Sequence, residues 1–263
     1  MFIKYTVNYS DNIFNQLSEC SSFEYLAKGR QGAVLVDSKE GLVPIVRTTT
    51  SYQNPAQQFL PIHYDILDNI KRATYSETSI RDLHFNNALV EIYDSQYCSM
   101  KFHSDQSLDL ADNSFICVFS CYDNPNTPDV RKLKIRNKII QEYSGIPDSL
   151  GIKDSEISLD HNTFVLFSLE TNYKHLHKIV LEKNTSNSKW LGITFRLSKT
   201  YIRFENQIPI MHPSSQILRI ASQDQFQQFI KKRGEENRSL QFIYPFFDYT
   251  LSPSDRLPPI SNS

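Results

Sequence analysis

Short β-branched and aromatic runs, each bounded by Asp, Asn, Ser or Gly, constrain the fold of this chain more than any other feature. They are Ala88–Tyr93, Phe115–Cys121, Thr163–Leu169, His177–Leu181, Leu191–Phe195 and Thr200–Phe204. Runs of this length suit strands and are too short for stable helices, and their fairly even spacing predicts an antiparallel sandwich or barrel. Helical spacing shows in only two places. Ile66, Leu67 and Ile70 share one face of a helix predicted over 61–75, and Ser222 can cap a helix running to Lys232 with Phe226, Phe229 and Ile230 on one face. The expected organisation is an N-terminal extension with a helix (1–86) packing on the core and able to form a substrate lid, a β core (87–205), and a C-terminal extension with one helix (206–263). The last stretch, Leu251–Ser263, holds three prolines and four serines and reads as a loosely held tail.

Composition excludes several classes of function. With only 7 glycines and no GxGxxG or GxxxxGK[ST] pattern, the chain has no glycine-rich phosphate cradle. The formal net charge of −1 gives no overall field for a polyanion. One basic run, Arg131–Lys138, alternates with Leu133 and Ile135 and reads as a half-exposed strand that offers Lys132, Lys134 and Arg136 as local substrate contacts. The cysteines, Cys20, Cys98, Cys117 and Cys121, form no CxxC pair, and Cys117 and Cys121 read as small buried apolar residues of a reduced protein. No apolar stretch is long enough to span a bilayer, so the expectation is a cytoplasmic protein with no membrane partner; the oligomeric state stays open.

The pattern that carries chemistry is Phe102-His103-Ser104-Asp105, followed far downstream by Thr171-Asn172-Tyr173-Lys174-His175-Leu176-His177. In an extended chain, residues two apart point the same way, so His103 and Asp105 can converge on one metal ion while Ser104 points aside. Two imidazoles and one carboxylate on one face of Fe(II) leave open positions for a bidentate 2-oxo acid and O2. A distal His followed by an Arg resembles the layout of the double-stranded β-helix oxygenases, and His177 and Arg196 stand in that order. His175 competes with His177 as the distal ligand.

The segments Thr171-Asn172-x4-His177 and Gly192-Ile193-Thr194-Phe195-Arg196 resemble the C-terminal half of the AlkB family. Upstream, Glu91-Ile92-Tyr93, ending ten residues before His103, resembles that family's Asn-x-Tyr strand. The resemblance covers about 87–204. It implies a double-stranded β-helix core of the jelly-roll, cupin-like kind and an enzyme: an Fe(II)/2-oxoglutarate-dependent dioxygenase. His103, Asp105 and His177 would then hold iron, Arg196 the cosubstrate carboxylate, and Tyr93 would offer its hydroxyl to the cosubstrate. The cofactor set is Fe(II), 2-oxoglutarate and O2.

The chain departs from the family pattern at three places. Where a second Arg is expected six residues before the last, the chain has Trp190. In another register, Arg196-Leu197-Ser198 resembles the Arg-x-Ser clamp of other 2-oxoglutarate enzymes, with Arg203 as the second Arg. Glu91 replaces the Asn, and Gln106 and Ser107 replace the acidic residues after the iron-binding Asp. The implied activity is oxidative demethylation of an alkylated nucleobase in nucleic acid, with Tyr52, Phe59 and Tyr64 as stacking candidates. Hydroxylation or demethylation of a protein side chain or small metabolite is the alternative, and a non-catalytic cupin-like binding module is a remoter one. Lys231-Lys232-Arg233 with Glu235 and Glu236 reads as a solvated helix end.

Overall fold

The computed structural model describes residues 1–9, 11–138 and 154–261. The chain opens with strand β1 (Phe2–Thr6), helix α1 (Ile13–Cys20), the hairpin β2 (Glu24–Ala27) and β3 (Arg30–Val36), the short strands β4 (Val43–Pro44) and β5 (Gln57–Gln58), and helix α2 (Pro61–Glu77). The middle carries β6 (Asn87–Tyr93), β7 (Phe115–Tyr122), β8 (Lys132–Asn137), β9 (Ser155–Ser158), β10 (Thr163–Ser168), helix α3 (Leu169–Lys174), β11 (His175–Val180) and β12 (Trp190–Arg196). There follow β13 (Tyr201–Glu205), β14 (Ile208–His212), β15 (Arg219–Ile220), helix α4 (Gln223–Arg238), β16 (Tyr249–Thr250) and a 3₁₀ turn at Pro253–Arg256.

The architecture is mostly β and mostly antiparallel. The main sheet runs β1-β10-β7-β12-β6-β3-β2, and a smaller sheet runs β11-β8-β9. The chain alternates between the two. After β6 in the main sheet, residues 99–103 bridge to β11 at Ser99↔Val180 and His103↔His177; β7 returns to the main sheet, β8 and β9 to the small one, β10 to the main one, β11 to the small one and β12 to the main one. This alternation is the winding of a double-stranded β-helix.

Period-two burial explains how the layers hold together. Along β12, Leu191, Ile193 and Phe195 face a core shared with Ile13 and Leu17 of α1 and Ile66 and Ile70 of α2. Trp190 faces the other way, into the core between the sheets with Ile116, Val118, Leu133, Ile135 and Phe167. Gly192 has no alternative on that face, because a Cβ there would lie 2.0 Å from the Trp190 ring.

Both predicted helices form. Pro61 opens α2, where its fixed φ suits the first turn. Ser222 and Gln225 close a reciprocal cap on α4, with Ser222 N–H donating to Gln225 Oε1 at 2.9 Å. The N-terminal segment goes beyond packing on the core, since β1, β2 and β3 are strands of the main sheet. The C-terminal tail, read as loose, is fastened. Gln58 N–H donates to Ile260 O and Ile260 N–H to Ala56 O, both at 2.9 Å, so an extended, proline-rich stretch satisfies its backbone at the β5 edge. No helix among the described residues is long and apolar enough to cross a membrane.

Candidate metal centre

The backbone brings the two histidines opposite each other. His103 N–H donates to His177 O at 3.0 Å, His177 N–H donates to His103 O at 2.7 Å, and the ring centroids lie 4.9 Å apart. Asp105 is placed by a side chain. Asn172 Oδ1 accepts from Asp105 N–H and Asn172 Nδ2 donates to Asp105 O, both at 2.7 Å, so the amide acts as a strand partner for a residue outside any strand. That gives the Thr171-Asn172 motif its physical role. Ligand atoms from His103, Asp105 and His177 lie within 4.8 Å of one another.

Each group is in the form a metal requires. The Asp105 carboxylate divides its oxygens: Oδ1 accepts from Arg196 Nη2 at 2.7 Å, while Oδ2 has no hydrogen-bond partner and lies 4.0 Å from His177 Nε2. Burial raises its pKa, but Arg196, the two imidazoles and Arg233 outweigh burial and bring it to about 2. Burial, reinforced by the neighbouring His103, lowers His177 to about 3, and burial likewise lowers His103. Neutral imidazoles beside a carboxylate form the donor set that suits Fe(II). His103 Nδ1 lies 3.0 Å from Lys101 O, so the tautomer that donates there leaves Nε2 for the metal.

Arg196 comes from the same β12 face as Trp190. It is 7% exposed, and its Nε and Nη1 have no hydrogen-bond partner. Two buried guanidinium donors beside a metal-ligand set form a ready receptor for a carboxylate. Arg196, His103, Asp105 and His177 all line a cavity of about 280 Å³, small for a ligand pocket. At another part of its wall, Tyr93 Oη donates to Glu91 Oε2 at 2.6 Å and Arg30 Nε donates to Glu91 Oε1 at 2.8 Å. Tyr93 therefore lines the cavity with its hydroxyl already engaged, and Glu91 with Arg30 forms a polar patch that the sequence alone did not single out.

The loop carrying Asp105 is held from the C-terminal extension. Asn237 Oδ1 accepts from Ser104 N–H and Oγ, both at 3.1 Å, and Glu236 Oε1 accepts from Ser107 N–H at 2.9 Å and Oγ at 2.6 Å. Arg233 donates to Ser104 O and pairs with Glu236 at 2.6 Å, and it lines the cavity. Glu236 is 1% exposed. The expectation of a solvated helix end fails here because the 104–107 backbone supplies donors that α4 can satisfy only by burying its charges. Arg47 ties in another cavity-lining segment, pairing with Asp109 at 2.7 Å and donating through Nη1 to Phe247 O and Tyr249 O.

Several expected residues lie elsewhere. His175 Nδ1 lies 2.8 Å from Thr171 O, and its ring packs edge-on against Phe2, outside the ligand group. Ser198 Oγ is used by the backbone carbonyls of Ile45 and Thr200, and Arg203 pairs with Glu205 on β13, so neither lines the cavity. Lys132, Lys134 and Arg136 occupy the face of β8 opposite cavity-lining Leu133; Lys132 pairs with Glu156 and Glu182, Lys134 with Glu182, and Arg136 with Asp154. Tyr52 and Phe59 are core residues and Tyr64 donates to Asp37, so none of the three is placed to stack in the cavity.

No protein-family model matches the chain, and no curated protein matches it. Among solved structures it is similar to OsALKBH1, at 14% identity over 74% of this chain and 97% of that one, with a TM-score of 0.47. It is also similar to a prolyl-4-hydroxylase of Pseudomonas putida, at 12% identity over 74% of this chain and 92% of that one, with a TM-score of 0.42.

Proposed function

We propose that this chain is an Fe(II)- and 2-oxoglutarate-dependent dioxygenase that demethylates an alkylated nucleobase in nucleic acid. One observation carries the oxygenase reading. The Asp105 carboxylate gives Oδ1 to Arg196 and leaves Oδ2 unpartnered between two neutral imidazoles, while Arg196 keeps two buried donors free for a carboxylate. Leaving such groups buried and unpaired costs about 1–3 kcal/mol each, a cost that a metal and an anionic cosubstrate both offset. The orphaned atoms thus fit the implied iron and 2-oxoglutarate.

Bound iron supplies the oxidising chemistry, drawing on O2 and the decarboxylation of 2-oxoglutarate. The protein's own part is positional. His103, Asp105 and His177 would hold the metal, and Asn172 keeps Asp105 in place. Arg196 orients a carboxylate beside the metal, and apolar side chains such as Val118, Leu133 and Ile179 keep water from the cavity wall.

Nucleic acid is the favoured partner because the motif resemblance to the AlkB family implies it, and Lys101, exposed at the cavity wall with no ion-pair partner among the described residues, is available to a phosphate. The pairing of Lys132, Lys134 and Arg136 with acids favours the second reading, oxidation of a protein side chain or small metabolite. The test is anaerobic loading with Fe(II) and 2-oxoglutarate, then exposure to air with methylated oligonucleotides, peptides and metabolites. Formaldehyde and succinate from a methylated base support the first reading. Succinate coupled only to a peptide or metabolite supports the second, and no metal-dependent succinate with any of them refutes both.

A further inference from the structure

Gln106 follows Asp105 and lines the same cavity. It is 7% exposed, and neither its Oε1 nor its Nε2 has a hydrogen-bond partner. A buried amide with both ends unmet is uncommon, because each unmet group costs about 1–3 kcal/mol. The loop cannot relieve that cost by shifting: Ser104 and Ser107, on either side, are bound to Asn237 and Glu236 of α4, and Asp105 is bound to Asn172. With its backbone fixed at the cavity wall, Gln106 can bring its unmet amide to a ligand there by a turn of its own side chain.

Its chemistry limits that ligand. A carboxamide presents one acceptor and a donor side by side. A partner that satisfies both must carry a donor and an acceptor on one edge. A trans peptide bond directs its N–H and C=O to opposite sides and satisfies only one of them. A primary carboxamide and a nucleobase edge satisfy both, and Gln meeting adenine is a familiar pairing of this kind. The rest of the wall favours the ring. Leu89, Met100, Val118 and Ile179 offer apolar surface that a planar base covers and an isolated carboxamide leaves bare.

We propose that Gln106 determines specificity for the prime substrate by pairing with the donor–acceptor edge of a nucleobase set against the metal centre. This rests on the function proposed above.

The test is equilibrium binding to the full chain loaded with Mn(II) and 2-oxoglutarate under anaerobic conditions. The probes are adenosine, cytidine, guanosine, N-acetylglutamine amide and purine riboside, which lacks the exocyclic donor. For the native protein, adenosine or cytidine should bind at least tenfold tighter than purine riboside. Gln106→Leu should erase that difference. Gln106→Glu keeps the shape and exchanges the donor for a second acceptor, so it should move preference at least tenfold towards guanosine, whose edge carries two adjacent donors. The Glu variant also covers the case in which the Leu variant fails to fold.

Equal binding of adenosine and purine riboside, or equal losses for both in Gln106→Leu, overturns the assignment. Gln106-dependent binding of N-acetylglutamine amide in preference to every nucleoside overturns the nucleobase class and points to a protein side chain. Failure of the native protein to bind Mn(II) and 2-oxoglutarate sinks the underlying oxygenase reading. Their binding without nucleoside binding sinks only the role of Gln106.

Discussion

Two charged runs in this chain look alike in sequence and have opposite roles in the fold. Lys132, Lys134 and Arg136 alternate along β8, while Arg233, Glu236 and Asn237 share one side of α4. The β8 cations lie on the outer face of the small sheet and are neutralised by Glu156, Glu182 and Asp154, at least a dozen residues away in sequence. The α4 group is buried against the loop that carries Asp105. A charge run is thus read by what faces it. Where carboxylates in water face it, it is surface; where unsatisfied backbone faces it, it is a clamp.

The largest expected effect tests whether the clamped loop is a metal loop at all. His103→Ala, Asp105→Ala and His177→Ala should each abolish metal-dependent succinate formation with the fold retained, while His175→Ala keeps substantial turnover. Circular dichroism and a succinate assay separate the two effects. Loss in His175→Ala with retention in His177→Ala would reverse the choice of distal ligand.

Next in size is the clamp itself. Glu236→Ala leaves Arg233 without its buried partner and strips the acceptor from Ser107, so unfolding free energy should fall by about 3–5 kcal/mol. Denaturant titration measures this, and a change confined to a few tenths of a kcal/mol would return α4 to the surface class.

Arg196→Lys replaces a planar fork with a point charge and should raise the 2-oxoglutarate requirement by roughly tens-fold. A steady-state titration of 2-oxoglutarate decides it; unchanged dependence would remove Arg196 from the cosubstrate.

The smallest effect belongs to β8. Changing Lys132, Lys134 and Arg136 together to Gln should leave succinate formation and the salt slope of oligonucleotide binding unaltered, because those cations are already paired and face away from the cavity. Lys101→Gln should lower that slope by about one. The opposite result would restore the β8 run as the phosphate contact.

The strand runs, helices α2 and α4 and the HxD pattern were legible in the sequence because each rests on local periodicity, spacing or capping, whereas the shorter α1 and α3 were not predicted. His177 and Arg196 were legible through the resemblance of the Thr171-Asn172-x4-His177 and Thr194-Phe195-Arg196 segments to the AlkB family, with His175 left as the competing ligand. Gln106, Asn172, Glu91 with Arg30, and the α4 clamp were visible as residues without a visible role. Asn172 came nearest, through its place in the Thr-Asn pattern, but nothing in that pattern says that its amide pins the Asp105 backbone. The Ser198 and Arg203 register failed for a physical reason: β12 ends at Arg196, and the chain beyond it turns to satisfy its own backbone.

The strand runs, helices α2 and α4 and the residue types of a candidate metal site follow from the sequence, because each depends on residues within a few positions of one another. Tertiary structure decided which histidine faces Asp105, that Arg196 sits at the metal end of the cavity, and which cations are already paired. Those outcomes depend on contacts between residues far apart in the chain. His103 meets His177 across a backbone bridge, and Ser107 meets Glu236 only because α4 folds back over the metal loop.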